Sequence, residues 1–141
     1  MELSVLIHRF KIPGRLVTVN PTGNGNVNDT YLAIFRNTFE EWQVILQRVN
    51  NRVFANPEGI MHNLRLLTAH THPKLEAAAD TADRIWQMPN LIQTHDDTDF
   101  FVDEAGGYWR AITKIASATA FDAAQGPEHA AECGAVLGNF H

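Results

Sequence analysis

The chain is predicted to fold as an α+β domain around an antiparallel sheet of about five strands. Three observations lead there. β-rich runs at residues 16–20, 30–35 and 42–49 stand close enough in sequence to form a meander. A long helical segment follows, and a hairpin pattern at 100–103 and 108–115 then adds two or three strands to the same sheet, counting a short run at 91–94. The resulting order, three strands, helix, strands, linker and helix, is not the strand and helix alternation of a dinucleotide-binding fold.

Taken in order, residues 3–10 mix apolar and basic positions and meet Lys11-Ile12-Pro13-Gly14, so a short helix ended by a turn is expected. The first two strands are separated by a segment rich in Gly and Asn, residues 21–29. Asn56-Pro57-Glu58 announces the long helix: Asn caps free amides, Pro is tolerated in the first turn, and Glu complements the positive end of the dipole. Ile60, Leu64 and Leu67 give it one apolar face. Pro73 is expected to interrupt it, with a second helix over 74–87 ended by Met88-Pro89-Asn90.

Glu104-Ala105-Gly106-Gly107 closes the later hairpin, and residues 117–125 read as a linker. Gly126-Pro127-Glu128 then starts a last helix with Ala130, Cys133, Leu137 and Phe140 on one face. That stripe runs to the end without a stop signal, which leads us to expect that its packing surface lies in sequence beyond His141. The division expected is a main unit over 1–116 and a linker with helix over 117–141.

With 141 residues, 45% of them hydrophobic, the chain can bury one modest core and is too short for two domains. Eleven basic against sixteen acidic residues give a charge of -5, which argues against nucleic acid or anionic lipid as partners. Asp96, Asp97, Asp99, Asp103 and Glu104 crowd one stretch, read as a solvated hairpin tip because the spacing does not match a calcium loop. Cys133 is the single cysteine, which rules out an internal disulfide framework, suits a reducing compartment and is read as buried. The opening apolar run is too short for a signal-peptide core and its basic residues come after it. No segment is long enough to cross a bilayer, and a cytoplasmic location is expected.

Several chemical constellations are weighed and set aside. His62, His70 and His72 lack the i, i+4 spacing of zinc helices, so no metal ligands are assigned. Ser117, Thr119 and Asp122 have no histidine base beside them and no Gly-x-Ser-x-Gly turn. Cys133 with His129 four residues before it is read as packing, not as a nucleophile pair. Trp42, Trp86 and Trp109 are read as anchors of the core or of an interface, and either Trp109 or Arg110 can face a cleft.

The strongest clue is Gly23-Asn24-Gly25-Asn26-Val27-Asn28. A Gly-x-Gly turn lets backbone amides approach an anionic ligand, although such a turn is also an ordinary way to reverse a strand. Because a strand follows it, the dinucleotide fingerprint and the Walker-type loop are both excluded, leaving the kinase-type strand, glycine loop and strand.

In that setting, the segment from Pro21 to Leu32, then Val44-Ile45-Leu46-Gln47-Arg48-Val49-Asn50, Val53-Phe54, Met61-His62-Asn63, Tyr108-Trp109-Arg110 and the segment from Gly134 to His141 resemble successive blocks of the N-acetylhexosamine 1-kinases. That branch belongs to the aminoglycoside phosphotransferase and choline kinase superfamily. The resemblance implies a kinase-like N-terminal lobe that stops at the start of the catalytic lobe. It implies ATP and Mg²⁺ as cofactors and a sugar as substrate, phosphorylated on the anomeric hydroxyl of an N-acetylhexosamine.

The resemblance further implies that Gly23, Asn24, Gly25, Asn26 and Asn28 cover the ATP phosphates and that Thr30 adds a hydroxyl. Lys114, Ile115 and Ala116 fall where the family's hinge meets adenine. Gln47 takes the position of the phosphate-pairing lysine of protein kinases and brings no positive charge. We expect it to pair with Asn63 in place of the usual ion pair. The family's catalytic Asp, in a His-Asn-Asp-type loop, and its Mg²⁺ ligand have no counterpart in this sequence, so no catalytic residue is assigned and no turnover is expected of this chain alone. A kinase for choline, homoserine or an aminoglycoside is the alternative within the superfamily. A non-catalytic nucleotide-sensing or interaction module is the alternative outside enzymes.

Overall fold

A computed structural model describes residues 2–23, 25, 27–78 and 85–140. Among the described residues the chain is α+β, with an open antiparallel sheet and three α-helices. Helix α1, Leu3–Leu6, runs into a single 3-10 turn, Ile7–Arg9, so the expected opening helix is shorter than its apolar pattern. Strands β1, Arg15–Pro21, β2, Asp29–Arg36, and β3, Glu41–Val49, form the meander, each extended by a residue or two beyond the predicted run. Helix α2, Pro57–Ala78, follows, then β4, Leu91–Ile92, β5, Phe101–Val102, β6, Tyr108–Thr113, and α3, Pro127–Phe140.

The sheet has six strands among the described residues, with the short run at 91–94 counted in, and two very short strands share one edge of β6. β4 pairs with its Ala111 and Ile112 and β5 with its Tyr108 and Trp109, while β3 occupies the other edge. Phe10 adds an isolated bridge to Thr94, tying the N-terminal segment to this side.

Pro73 does not interrupt α2, which continues to Ala78. Proline removes the donor that would reach the carbonyl of Ala69, and that residue is exposed, so water can take the donor's place. Residues 74–78 of the predicted second helix therefore belong to α2, residues 79–84 lie outside the described residues, and 85–90 have no regular structure. The N-terminal cap is as the sequence predicts: Asn56 Oδ1 accepts from the Gly59 amide at 2.9 Å.

Strand alternation sorts side chains onto two faces. Ala33 and Phe35, Val44 and Leu46, and Trp109 and Ala111 face one side, where Leu6, Ile7 and Phe10 cover them. This outer face holds five of the six largest fully buried side chains, Phe10, Phe35, Leu6, Ile7 and Leu46, with Met61 the sixth. At about 1.5–3 kcal/mol for each large apolar side chain removed from water, the outer face carries most of the stability. The inner face is thereby left free to carry polar groups.

Of the acidic stretch, Asp96, Asp97 and Glu104 are exposed, as expected of a solvated tip, whereas Asp99 and Asp103 are half-buried. Asp97 pairs with Lys11 and Asp99 with Arg65 of α2, fastening the β4–β5 connection to two distant segments. Asp103 organises the next turn: its Oδ1 accepts from the amides of Ala105 and Gly107, and its Oδ2 from the Trp109 indole at 2.7 Å. That indole first, and the two amides after burial is set against them, hold the Asp103 carboxyl below its ordinary pKa.

Helix α3 is almost wholly exposed. Cys133, read from the sequence as buried, is an exposed free thiol, and Val136 and Leu137 are 54% and 60% exposed. An apolar stripe buries residues only when something packs on it, and among the described residues little does. No helix among the described residues is long and apolar enough to cross a membrane.

Candidate functional site

The glycine loop joins β1 to β2 and is pinned at both ends. The Thr22 amide donates to the Thr30 carbonyl at 2.9 Å, and Asn28 Oδ1 accepts from the Asn50 amide at 3.0 Å. Asn28 is thus committed to holding the loop against the end of β3. Gly23 has φ +77°, which favours glycine, whereas Gly25 has no left-handed φ and no atom within 4 Å of where a Cβ would stand. Nothing in the chain itself demands glycine at 25. Asn24 and Asn26 lie outside the described residues.

The register places Thr30 opposite Gln47 and Gln47 opposite Arg110, so the three form one rung across β2, β3 and β6 on the inner face. Their side chains are joined. Gln47 Nε2 donates to Thr30 Oγ1 at 3.1 Å, and Gln47 Oε1 accepts from Arg110 Nε and Nη2 at 3.0 and 2.8 Å. Thr30 Oγ1 in turn lies 3.4 Å from the Asn28 carbonyl, carrying the chain of contacts back to the loop. The donors of Arg110 fix the orientation of the carboxamide, since the opposite flip would set its NH₂ against two N–H groups.

This arrangement corrects the expected pairing of Gln47 with Asn63. Both ends of the Gln47 amide are taken by Thr30 and Arg110, and Asn63 is exposed on α2. It also resolves the choice between Trp109 and Arg110. Trp109 is 6% exposed in the outer core, and the next residue along the strand necessarily faces inward. Sequence reasoning left the role of Arg110 open, although alternation from an apolar Trp109 was the signal that identifies it.

One step along the strands from this polar rung, Leu32, Ile45 and Ile112 are in register and half-buried, making an apolar rung on the same face. Burial lowers the pKa of the Arg110 guanidinium from its ordinary value, yet it remains charged at any physiological pH. Among the described residues the ion pairs are Lys11 with Asp97, Arg36 with Glu41 and Arg65 with Asp99. Arg110 is in none of them.

Lys114, Ile115 and Ala116 follow β6 directly. The Lys114 amide donates to the Gln43 carbonyl at 3.0 Å, and Ser117 has φ +55°, marking the turn that ends this stretch. These residues border a groove of about 400 Å³ shared with His72, Glu76, Trp86 and Met88. A larger groove of about 610 Å³ opens beside Ile12, Trp42 and Lys114. A third, polar, of about 370 Å³, lies by Arg48, Arg52 and Asn50. Thr30, Gln47 and Arg110 line none of these three; their rung is half-buried on the inner face of the sheet. Among the described residues no group of three His, Cys, Asp or Glu is arranged to hold a metal ion. No family model matches the chain.

Proposed function

We propose that this chain is the nucleotide-holding lobe of an ATP-dependent small-molecule phosphotransferase of the N-acetylhexosamine 1-kinase type. The observation that carries the reading is the sequence of surfaces on the inner face: a glycine loop, a polar rung of Thr30, Gln47 and Arg110, and an apolar rung of Leu32, Ile45 and Ile112. A nucleotide has that same order of chemistry. Its phosphates suit backbone amides and a guanidinium, and its base suits an apolar surface.

Two residues along a strand span about 7 Å, which leaves room for the ribose between the two rungs. The open space at Gly25, which the chain itself leaves unexplained, is what a backbone that approaches phosphate needs. At the other end, the Lys114 amide already serves Gln43, so donation to the base falls to the amides of Ile115 and Ala116, while the Lys114 carbonyl can still accept from it.

The chemical step is not assigned to these residues. The sequence contains no His-Asn-Asp tripeptide to supply a base, and its carboxylates do not form a metal-holding group among the described residues. The chain's own share is therefore to bind and orient the nucleotide, with phosphoryl transfer to a sugar hydroxyl completed by groups outside it.

The test is calorimetric titration of the chain with Mg²⁺·ATP, beside the Ile45→Glu variant. Saturable binding that Ile45→Glu abolishes supports the reading, because the half-buried position admits a charge without breaking the core. Absence of any saturable heat at millimolar ATP would sink it.

A further inference from the structure

We infer that Arg110 supplies the positive charge of a polyphosphate subsite, with Gln47 acting as the neutral positioning residue that keeps that charge available. The inference deepens the nucleotide reading and rests on it for the class of ligand.

The argument starts from position 47. It lies on β3, directly beside the glycine-loop end of the face, and it holds a carboxamide with no charge to offer a phosphate. The charge is one strand away. Arg110 is in register with Gln47 on β6, its side chain is half-buried, and its two hydrogen bonds go to a neutral oxygen. A guanidinium partly removed from water and left without a carboxylate is costly, and protein interiors ordinarily neutralise it. None of the ion pairs among the described residues does so here.

Hydrogen bonding explains how the group is held. Nε and Nη2 are engaged by Gln47, and a guanidinium has five N–H donors, so three remain for an anion. Gln47 cannot turn away, because its Nε2 is tied to Thr30, which lies against the Asn28 carbonyl at the base of the loop. The base of the loop, Thr30, Gln47 and Arg110 thus form one continuous chain of contacts. A Glu at 47 would make the same contacts with Arg110 and cancel its charge. The carboxamide makes the contacts and leaves the charge for a ligand.

The experiment titrates the full chain with Mg²⁺·ATP, adenosine and sodium tripolyphosphate. Wild type is compared with Gln47→Glu, Arg110→Gln and the exchanged pair Gln47→Lys/Arg110→Gln, each checked for folding by circular dichroism and thermal melting. Charge-assisted hydrogen bonds set the scale, so Gln47→Glu and Arg110→Gln are expected to weaken ATP and tripolyphosphate by about 10- to 100-fold. Adenosine affinity should be unchanged, the melting temperature of Gln47→Glu should not fall, and the exchanged pair should recover phosphate binding. A merely structural role for Arg110 would move melting temperatures and leave the ratio of ATP to adenosine affinity untouched.

The inference is overturned if Gln47→Glu and Arg110→Gln both keep wild-type ATP affinity, or lose ATP and adenosine equally. Adenosine binding together with Arg110-independent ATP binding removes the subsite and keeps the nucleotide reading. Arg110-dependent tripolyphosphate binding without adenosine binding does the reverse. A wild-type chain that binds none of the three removes both.

Discussion

Arg110 donates two hydrogen bonds to the side-chain oxygen of Gln47, 63 residues away in sequence and directly opposite in the sheet. The relationship depends on register alone. Shifting β6 by one residue would turn Arg110 into the outer core and bring Trp109 onto the inner face. The outer core, where Trp109 is buried and its indole is bonded to Asp103, holds that register.

The two faces therefore respond differently to truncation. Leu46 is fully buried on the outer face, and Leu46→Ala should cost about 2–5 kcal/mol in urea unfolding. Its neighbour Ile45 is half-buried on the inner face, so Ile45→Ala should cost clearly less while lowering affinity for adenosine. Equal stability losses at the two positions would contradict the assignment of faces.

Gly14 and Gly106 both have positive φ, +84° and +77°, but differ in surroundings. A Cβ at 14 would stand 2.8 Å from the backbone carbon and oxygen of Arg36, whereas one at 106 would meet nothing within 4 Å. Gly106→Ala is expected to cost about 1–2 kcal/mol from the left-handed backbone alone. Gly14→Ala should cost more, because β2 must also shift. Equal midpoints for the two variants in denaturant would refute the close approach at Gly14.

Asp103 gives a pH-dependent test. Hydrogen bonds from Trp109, and then the turn amides, lower its carboxyl from the ordinary 3.8. A depressed folded-state value means the stabilisation is complete above the unfolded value and is lost as pH falls through the folded one. Asp103→Ala should thus be less stable than wild type at pH 7, with the gap narrowing as the pH falls through the lowered folded-state value. A gap of constant size down to pH 2 would show that the charge of Asp103 contributes nothing.

Removing the α2 cap with Asn56→Ala should cost about 1 kcal/mol, read as a lower unfolding midpoint. An unchanged midpoint would mean that the free amide at Gly59 is satisfied in another way.

What the sequence disclosed was mostly local. Alternation in 30–35 and 42–49 located β2 and β3 within a residue at each end, and Asn56-Pro57-Glu58 located the start of α2. What it hid was set by distant partners. The ion pairs of Asp97 and Asp99 were not legible because Lys11 and Arg65 are 86 and 34 residues away. Pro73 looked like a break because sequence does not say whether the carbonyl it frees is exposed. Cys133 looked buried because an apolar stripe implies a packing surface that the described residues do not supply. At the candidate site, Gln47 and Thr30 were named from the family resemblance, while Arg110 was one of two alternatives, and its partner Gln47 became visible only through register.

Backbone amide chemical shifts followed during titration with Mg²⁺·ATP test the inner-face site most directly. The largest changes are expected at Gly23, Gly25 and Thr30 near the loop, at Gln47 and Arg110 in the polar rung, and at Ile115 after β6, with Ile12 and Trp42 unmoved. Changes centred on Ile12 and Trp42, or on Arg48 and Arg52, or no changes at saturating nucleotide, would contradict it.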